Sequence, residues 1–139
     1  MDHPNIEYTA LDISPAMHSL ARSRLGPSAR RVDWVEADFK SDGWSKGLGG
    51  FDAVVTVQAV HELRHKRHAP ALYEVVHRLL SPGGTFLMCD RFVGSDGIGD
   101  AALFMTPEEH AAALEQGGFR APTLLVQGDG LVLFRCRCT

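Results

Sequence analysis

The chain has no apolar run of the roughly 18–20 residues that a membrane-spanning helix needs. Its opening residues, Met1-Asp2-His3-Pro4-Asn5, lack the basic and apolar regions of a secretory signal. It has no excess of positive charge: 14 Lys and Arg stand against 17 Asp and Glu, a net charge of -3. That leaves no basic footprint for nucleic acid as the main partner. Cysteine is scarce. Three cysteines, an odd number without a C-x-x-C pair, make no disulfide framework and are expected in a reducing, cytoplasmic compartment. Cys136 and Cys138 would share one face of a strand, where packing is the ordinary role. The remaining composition is that of a globular chain: 139 residues, 45% hydrophobic and 22% charged, predict a single domain over 1–139 with its own core.

Three apolar runs each stop on an aspartate. Ile6-Glu7-Tyr8-Thr9-Ala10-Leu11 ends at Asp12, Val32-Asp33-Trp34-Val35-Glu36-Ala37 at Asp38, and Phe86-Leu87-Met88-Cys89 at Asp90. In an open parallel α/β sheet ligands bind outside the carboxyl ends of the strands, so carboxylates placed there predict a small-molecule site. Helical patterns alternate with these runs. Ser14 is a candidate N-cap with Pro15 at the first helical position, and Met17, Leu20, Ala21 and Leu25 follow at helical spacing. Ala53-Val54-Val55-Thr56-Val57 is continuously apolar, as a strand covered on both faces would be. Leu72, Val75, Val76, Leu79 and Leu80 make one apolar helix face, which Ser81-Pro82-Gly83-Gly84 is expected to end. After a glycine-bearing loop from Phe92 to Met105, Thr106-Pro107-Glu108-Glu109 is a capping box. Thr123–Gln127 and Leu131–Arg135 then flank Gly128-Asp129-Gly130, a hairpin signal. The fold class is therefore α/β: a mostly parallel sheet closed by a C-terminal antiparallel hairpin.

His61-Glu62-Leu63-Arg64-His65 matches H-E-x-x-H. On a helix the two imidazoles would share one face and could hold zinc, with the glutamate activating its water. The motif follows a strand almost at once and Pro70 comes soon after, so a metallohydrolase is the lesser reading. A loop and short helix at the rim of a crevice is the plainer one, and no metal site is assigned.

Leu11-Asp12-Ile13-Ser14-Pro15-Ala16-Met17, Glu36-Ala37-Asp38-Phe39, Phe51-Asp52-Ala53-Val54-Val55 and Leu80-Ser81-Pro82-Gly83-Gly84 occur in that order. Together they resemble the class I S-adenosylmethionine-dependent methyltransferases, with a Rossmann-like three-layer sandwich, from Asn5 to Arg137. The resemblance implies S-adenosylmethionine as cofactor, a small-molecule methyl acceptor, and a site assembled from strand ends. Asp12 would accept hydrogen bonds from the ribose diol, with Ile13 against the adenine face. Asp38 would take the adenine amino group, beside Phe39. Val57 and Gln58 would meet the methionine end. Each has a plainer role: Asp12 starting the helical turn, Asp38 as a solvated loop carboxylate, Gln58 as a polar loop residue. His61 is the candidate general base, or else a packing residue at the strand-helix junction. Asp90 and Arg91 could touch substrate or pair with each other.

The resemblance also carries a departure. Members of the family bind the cofactor on a glycine-rich loop after a first, central strand, and the likeness here starts at the second strand, about 30 residues on. The expectation is an N-terminally truncated domain, with the Asp12 and Val57 strands either pairing directly or leaving a groove. An open sheet edge also invites a second copy of the chain, a homodimer. A non-catalytic methyltransferase-like interaction module is the alternative to an enzyme.

Overall fold

In a computed structural model, which describes residues 3–94, 97 and 99–139, the alternating apolar runs become strands and helices in the expected order. The chain falls into two compact units, residues 1–44 and 45–139. The first holds β1 (Tyr8–Asp12), α1 (Pro15–Leu25), a 3-10 turn (Gly26–Arg31) and β2 (Val32–Glu36). Ser14 caps α1, its side chain accepting the Met17 N–H at 3.3 Å, and Pro15 opens the helix. β1 and β2 pair in parallel from Tyr8 with Val32 to Asp12 with Glu36. Buried His18 ties their carboxyl ends together, its Nε2 lying 3.1 Å from both the Asp12 and the Val35 carbonyl oxygens. Its ring meets Trp34 edge-on at 5.4 Å, and the Arg22 guanidinium lies 4.6 Å from the Trp34 ring centre on a cation-π contact.

The second unit is a four-stranded sheet with two helices. β3 (Phe51–Val57), β4 (Leu80–Arg91), β5 (Arg120–Gly128) and β6 (Leu131–Arg137) lie in the order β3-β4-β6-β5. β3 and β4 are parallel; β4-β6 and β6-β5 are antiparallel, which completes the expected closing hairpin. α2 (Ala69–Leu79) and α3 (Pro107–Gln116) supply the helices. Ser81-Pro82-Gly83-Gly84 does more than stop α2: β4 already begins at Leu80, and the register shift between Phe51 and Ala53 absorbs the extra residues. The loop after β4 includes positions 95, 96 and 98, which lie outside the described residues.

The core of this unit follows from period-two burial on β6 and the apolar face of α2. Val132, Phe134 and Cys136 point inward from β6, and Leu72, Tyr73, Val76 and Leu79 from α2. Phe86 bridges two rings, 5.8 Å from Tyr73 and 5.4 Å from Phe119 in a stacked arrangement. Cys136 packs as the sequence suggests. Burial pushes its thiol up to about 12, so it stays protonated and unreactive at neutral pH. The capping box forms in full: Thr106 Oγ1 accepts the Glu109 N–H at 3.1 Å, and Glu109 Oε2 accepts the Thr106 N–H at 2.9 Å.

Each unit has its own sheet, β1-β2 in the first and β3-β4-β6-β5 in the second. β3 is hydrogen-bonded on one side only, and Val55 and Val57 are 59% and 62% exposed.

The end of α3 approaches α2 so closely that a Cβ on Gly117 would collide with the Tyr73 Cβ. Gly117→Ala is therefore expected to destabilise the fold by about 1–3 kcal/mol, the usual cost of overpacking. Urea unfolding followed by circular dichroism checks this; an unchanged midpoint would contradict the close approach.

Candidate active site

In the first unit, two aspartates sit beside each other at the carboxyl ends of paired strands. Asp12 closes β1, and Asp38 lies two residues past β2; the Asp12 carbonyl accepts the Ala37 N–H at 3.2 Å, joining the strand ends. Asp12 Oδ1 accepts the Ser14 N–H at 2.8 Å, so the helix-start role of this residue is realised. A carboxylate has about four acceptor positions, and that bond uses one of them. Asp38 likewise accepts the Lys40 N–H through Oδ1 at 2.9 Å. Ile13, 56% exposed, presents its side chain to the outside, and Phe39 is half-buried. An exposed apolar side chain next to the half-buried Asp12 carboxylate suits a flat ring bearing hydrogen-bond donors.

In the second unit, the sequence-predicted residues Val57, Gln58 and His61 follow one another off the end of β3. Gln58 continues the ladder, donating its N–H to the Cys89 carbonyl at 2.8 Å, yet its φ is +51°. A left-handed, non-glycine residue at a strand end is uncommon, and such strain concentrates at ligand sites. It turns the chain sharply into a short 3-10 turn, Val60–Leu63.

That turn brings His61 onto Asp90. The His61 Nδ1 lies 2.7 Å from Asp90 Oδ1, and the His61 backbone N–H donates to Oδ2 at 3.0 Å. The Arg91 N–H adds a third bond, to Oδ1 at 2.7 Å. Asp90 is 1% exposed, and a carboxylate so deeply placed requires such donors. Because the carboxylate oxygen accepts, the imidazole carries a proton on Nδ1, and Nε2 is the nitrogen left outside that bond. Nε2 is 3.4 Å from the exposed Glu62 carboxylate, and the Phe104 ring lies 5.5 Å from the imidazole. Among the described residues Asp90 forms no ion pair with the Arg91 side chain; its partners are His61 and the Arg91 N–H.

The H-E-x-x-H match does not form the helix that zinc binding needs. Arg64, at φ +67°, ends the first 3-10 turn, and His65 starts a second one, Lys66–His68. The two histidines therefore do not share a helix face. His65 Nδ1 instead accepts the Arg67 N–H at 3.1 Å, and His61 Nδ1 is held by Asp90. No cluster of three metal-ligating side chains occurs among the described residues.

Sequence reasoning missed His110. This residue of α3 is 2% exposed, and its Nε2 donates to the Arg91 carbonyl at 3.0 Å, a carbonyl being able only to accept. Nearby, Lys66 and Glu109 form a 2.6 Å ion pair that joins the turn after His61 to the start of α3. The only signal in the sequence was a histidine on the inward side of α3, in step with Ala113 and Leu114.

A family model described as "Methyltransferase domain" matches residues 1–84, and the chain belongs to that family, the class I S-adenosylmethionine-dependent methyltransferases. It is 30% identical over 94 residues to highly reducing polyketide synthase 40 of Fusarium pseudograminearum (strain CS3096), a match covering 63% of this chain and 3% of that protein. Among solved structures it is similar in fold to PigF with SAH (TM-score 0.75, 17% identity), covering 99% of this chain and 45% of that one. The CurJ carbon methyltransferase has a TM-score of 0.75 and 17% identity, with 96% of this chain and 42% of that one covered. The chain thus spans less than half of these solved chains and a small part of the polyketide synthase.

Burial pushes the His110 pKa below the ordinary histidine value, against the Arg91 carbonyl bond and the Asp90 and Glu109 carboxylates, which pull it up. The unfolded chain therefore binds the proton more readily. The sign follows: stability is fully present above about pH 6.5 and falls as pH drops below it. Replacing the titrating ring by His110→Gln is expected to flatten stability against pH between about 5 and 7. Urea midpoints measured across that range check it; equal slopes for both proteins would contradict the buried neutral ring.

Proposed function

We propose that this chain acts as an S-adenosylmethionine-dependent methyltransferase domain with a small-molecule acceptor, His61 serving as general base. The observation that carries the reading is the His61–Asp90 pair, with its 2.7 Å bond, at the carboxyl ends of β3 and β4 in a chain of the methyltransferase family. When bound, the cofactor supplies an electrophilic methyl on a sulfonium. Asp12 and Ile13 are assigned to its ribose and adenine, Asp38 and Phe39 to the adenine amino edge, and Val57 and Gln58 to its methionine end. The donor set fits: Asp12 retains acceptor positions beyond the one used by Ser14, as a diol requires. His61 Nε2 would take the proton that the acceptor loses as its electron pair attacks that methyl carbon, the pair of the broken C–S bond remaining on sulfur. Asp90 holds the ring in the Nδ1–H tautomer that frees Nε2, and it favours the imidazolium that forms. Much of the remaining acceleration comes from positioning two reactants.

The family match runs across both compact units, which supports reading 1–139 as one partial methyltransferase domain. The similarity to a polyketide synthase and to the fold of a carbon methyltransferase favours a carbon acid or hydroxyl of a small acyl compound as the acceptor. A second copy of the chain is the proposed partner, paired through the open edge of β3. Three free thiols suit the cytoplasm.

Calorimetric titration of the purified chain with S-adenosylmethionine tests the cofactor reading. Micromolar binding is expected, weakened at least about 10-fold by Asp12→Ala through loss of a charge-assisted contact. Absence of binding up to millimolar ligand would favour a non-catalytic methyltransferase-like module. With an acceptor in hand, Asp90→Asn is expected to lower turnover by about 100-fold or more while leaving cofactor affinity unchanged. Sedimentation velocity addresses the partner: a dimer is expected as concentration rises, weakened by Val55→Lys on the exposed edge. A chain that stays monomeric throughout would refute it.

A further inference from the structure

His61, Asp90 and His110 line one small cavity, with Val60, Lys66 and Met105 among its other walls. Its volume, about 10 Å³ open to the centre of a water molecule, is room for about one water. His110 enters it from α3. Its Nε2–H is spent on the Arg91 carbonyl, and its Nδ1 is buried with no hydrogen-bond partner among the described residues. A buried acceptor without a partner is unfavourable, and a water in a polar cavity is the ordinary remedy. The Arg91 residue that His110 grips by its carbonyl is the same residue whose N–H holds Asp90 Oδ1. α3 is thus linked to the imidazole of His61 by hydrogen bonds on either side of Arg91, whose own covalent backbone joins the two halves.

We propose that His110 is a positioning residue for the His61–Asp90 pair, acting through the Arg91 carbonyl and through one water held against its Nδ1. The idea rests on the pair assigned above, but it concerns what keeps that pair aligned. Apolar replacement at this position leaves the Arg91 carbonyl without its buried donor and removes the water's acceptor. Arg91 then loses the anchor on its carbonyl side, its N–H is held less firmly against Asp90 Oδ1, and the bond from Asp90 to His61 lengthens or becomes dynamic. The loss is not one of packing volume, since a phenylalanine fills the same space.

Nuclear magnetic resonance of the full chain labelled with 15N in its histidines separates the two ideas without any methyl acceptor. In the wild type, His61 is expected to show a downfield Nδ1–H resonance protected from exchange. His110 is expected to be neutral, with the proton on Nε2, and to show a water cross-peak. His110→Phe should shift the His61 Nδ1–H upfield and broaden it toward loss, whereas His110→Gln, which keeps a donor, should restore it. If the wild-type His61 signal is absent, the pair itself is wrong and the positioning role falls with it. If that signal is present and unchanged in a folded His110→Phe protein, the pair stands and the positioning role is overturned. Should the Phe variant fail to fold, the wild-type tautomer decides: a His110 proton on Nδ1 overturns the proposal, and one on Nε2 with a water cross-peak supports it.

Discussion

A carboxylate that is 1% exposed at the end of β4 governs the candidate active site. Removing a carboxylate from water is tolerated only where donors replace the lost hydration, and Asp90 collects three: the His61 backbone N–H, the His61 imidazole and the Arg91 N–H. Two of the three come from a residue 29 positions earlier in the chain. Satisfying Asp90 therefore requires the segment after β3 to fold back as a tight turn, and the left-handed Gln58 makes that turn. The same requirement fixes which imidazole nitrogen bears the proton. An electrostatic need of one buried group thus dictates backbone path, tautomer and the location of a basic nitrogen.

The first unit solves a smaller problem with similar parts. Its two strands end side by side, and buried His18 touches the last carbonyl of β1 and the next-to-last of β2, so the carboxyl edge is a defined surface rather than a fraying end. Asp12 and Asp38 each hold a following backbone N–H through one oxygen. This fixes the carboxylates in place without exhausting their capacity to accept. The helix-start role of Asp12 is realised, and the acceptor positions it leaves over are the ones the proposed ligand contact would use.

Local chemistry was legible before any coordinates. The Thr106-to-Glu109 capping box, the Ser14 cap and the glycine turn before Leu131 depend on contacts a few residues apart, and all three form as their residues specify. The Ser81–Gly84 segment was only half legible. Proline and glycine there marked the end of α2, but the start of β4 at Leu80 depends on Phe51, its partner from a distant strand. H-E-x-x-H misled in the opposite direction. A pattern that assumes a helix has no meaning where Arg64 adopts a left-handed conformation and splits the segment into two turns.

By itself the sequence determined the α/β class, the order of its elements, the strand-end aspartates and the family, because these rest on periodicity and on motifs read along the chain. Only the tertiary structure decided that Asp90 bonds to His61, that His110 reaches the Arg91 carbonyl, and that β3 pairs with β4. These are long-range pairings. They are set by which buried polar groups find donors when elements far apart in the chain pack together, and no residue spacing encodes that outcome.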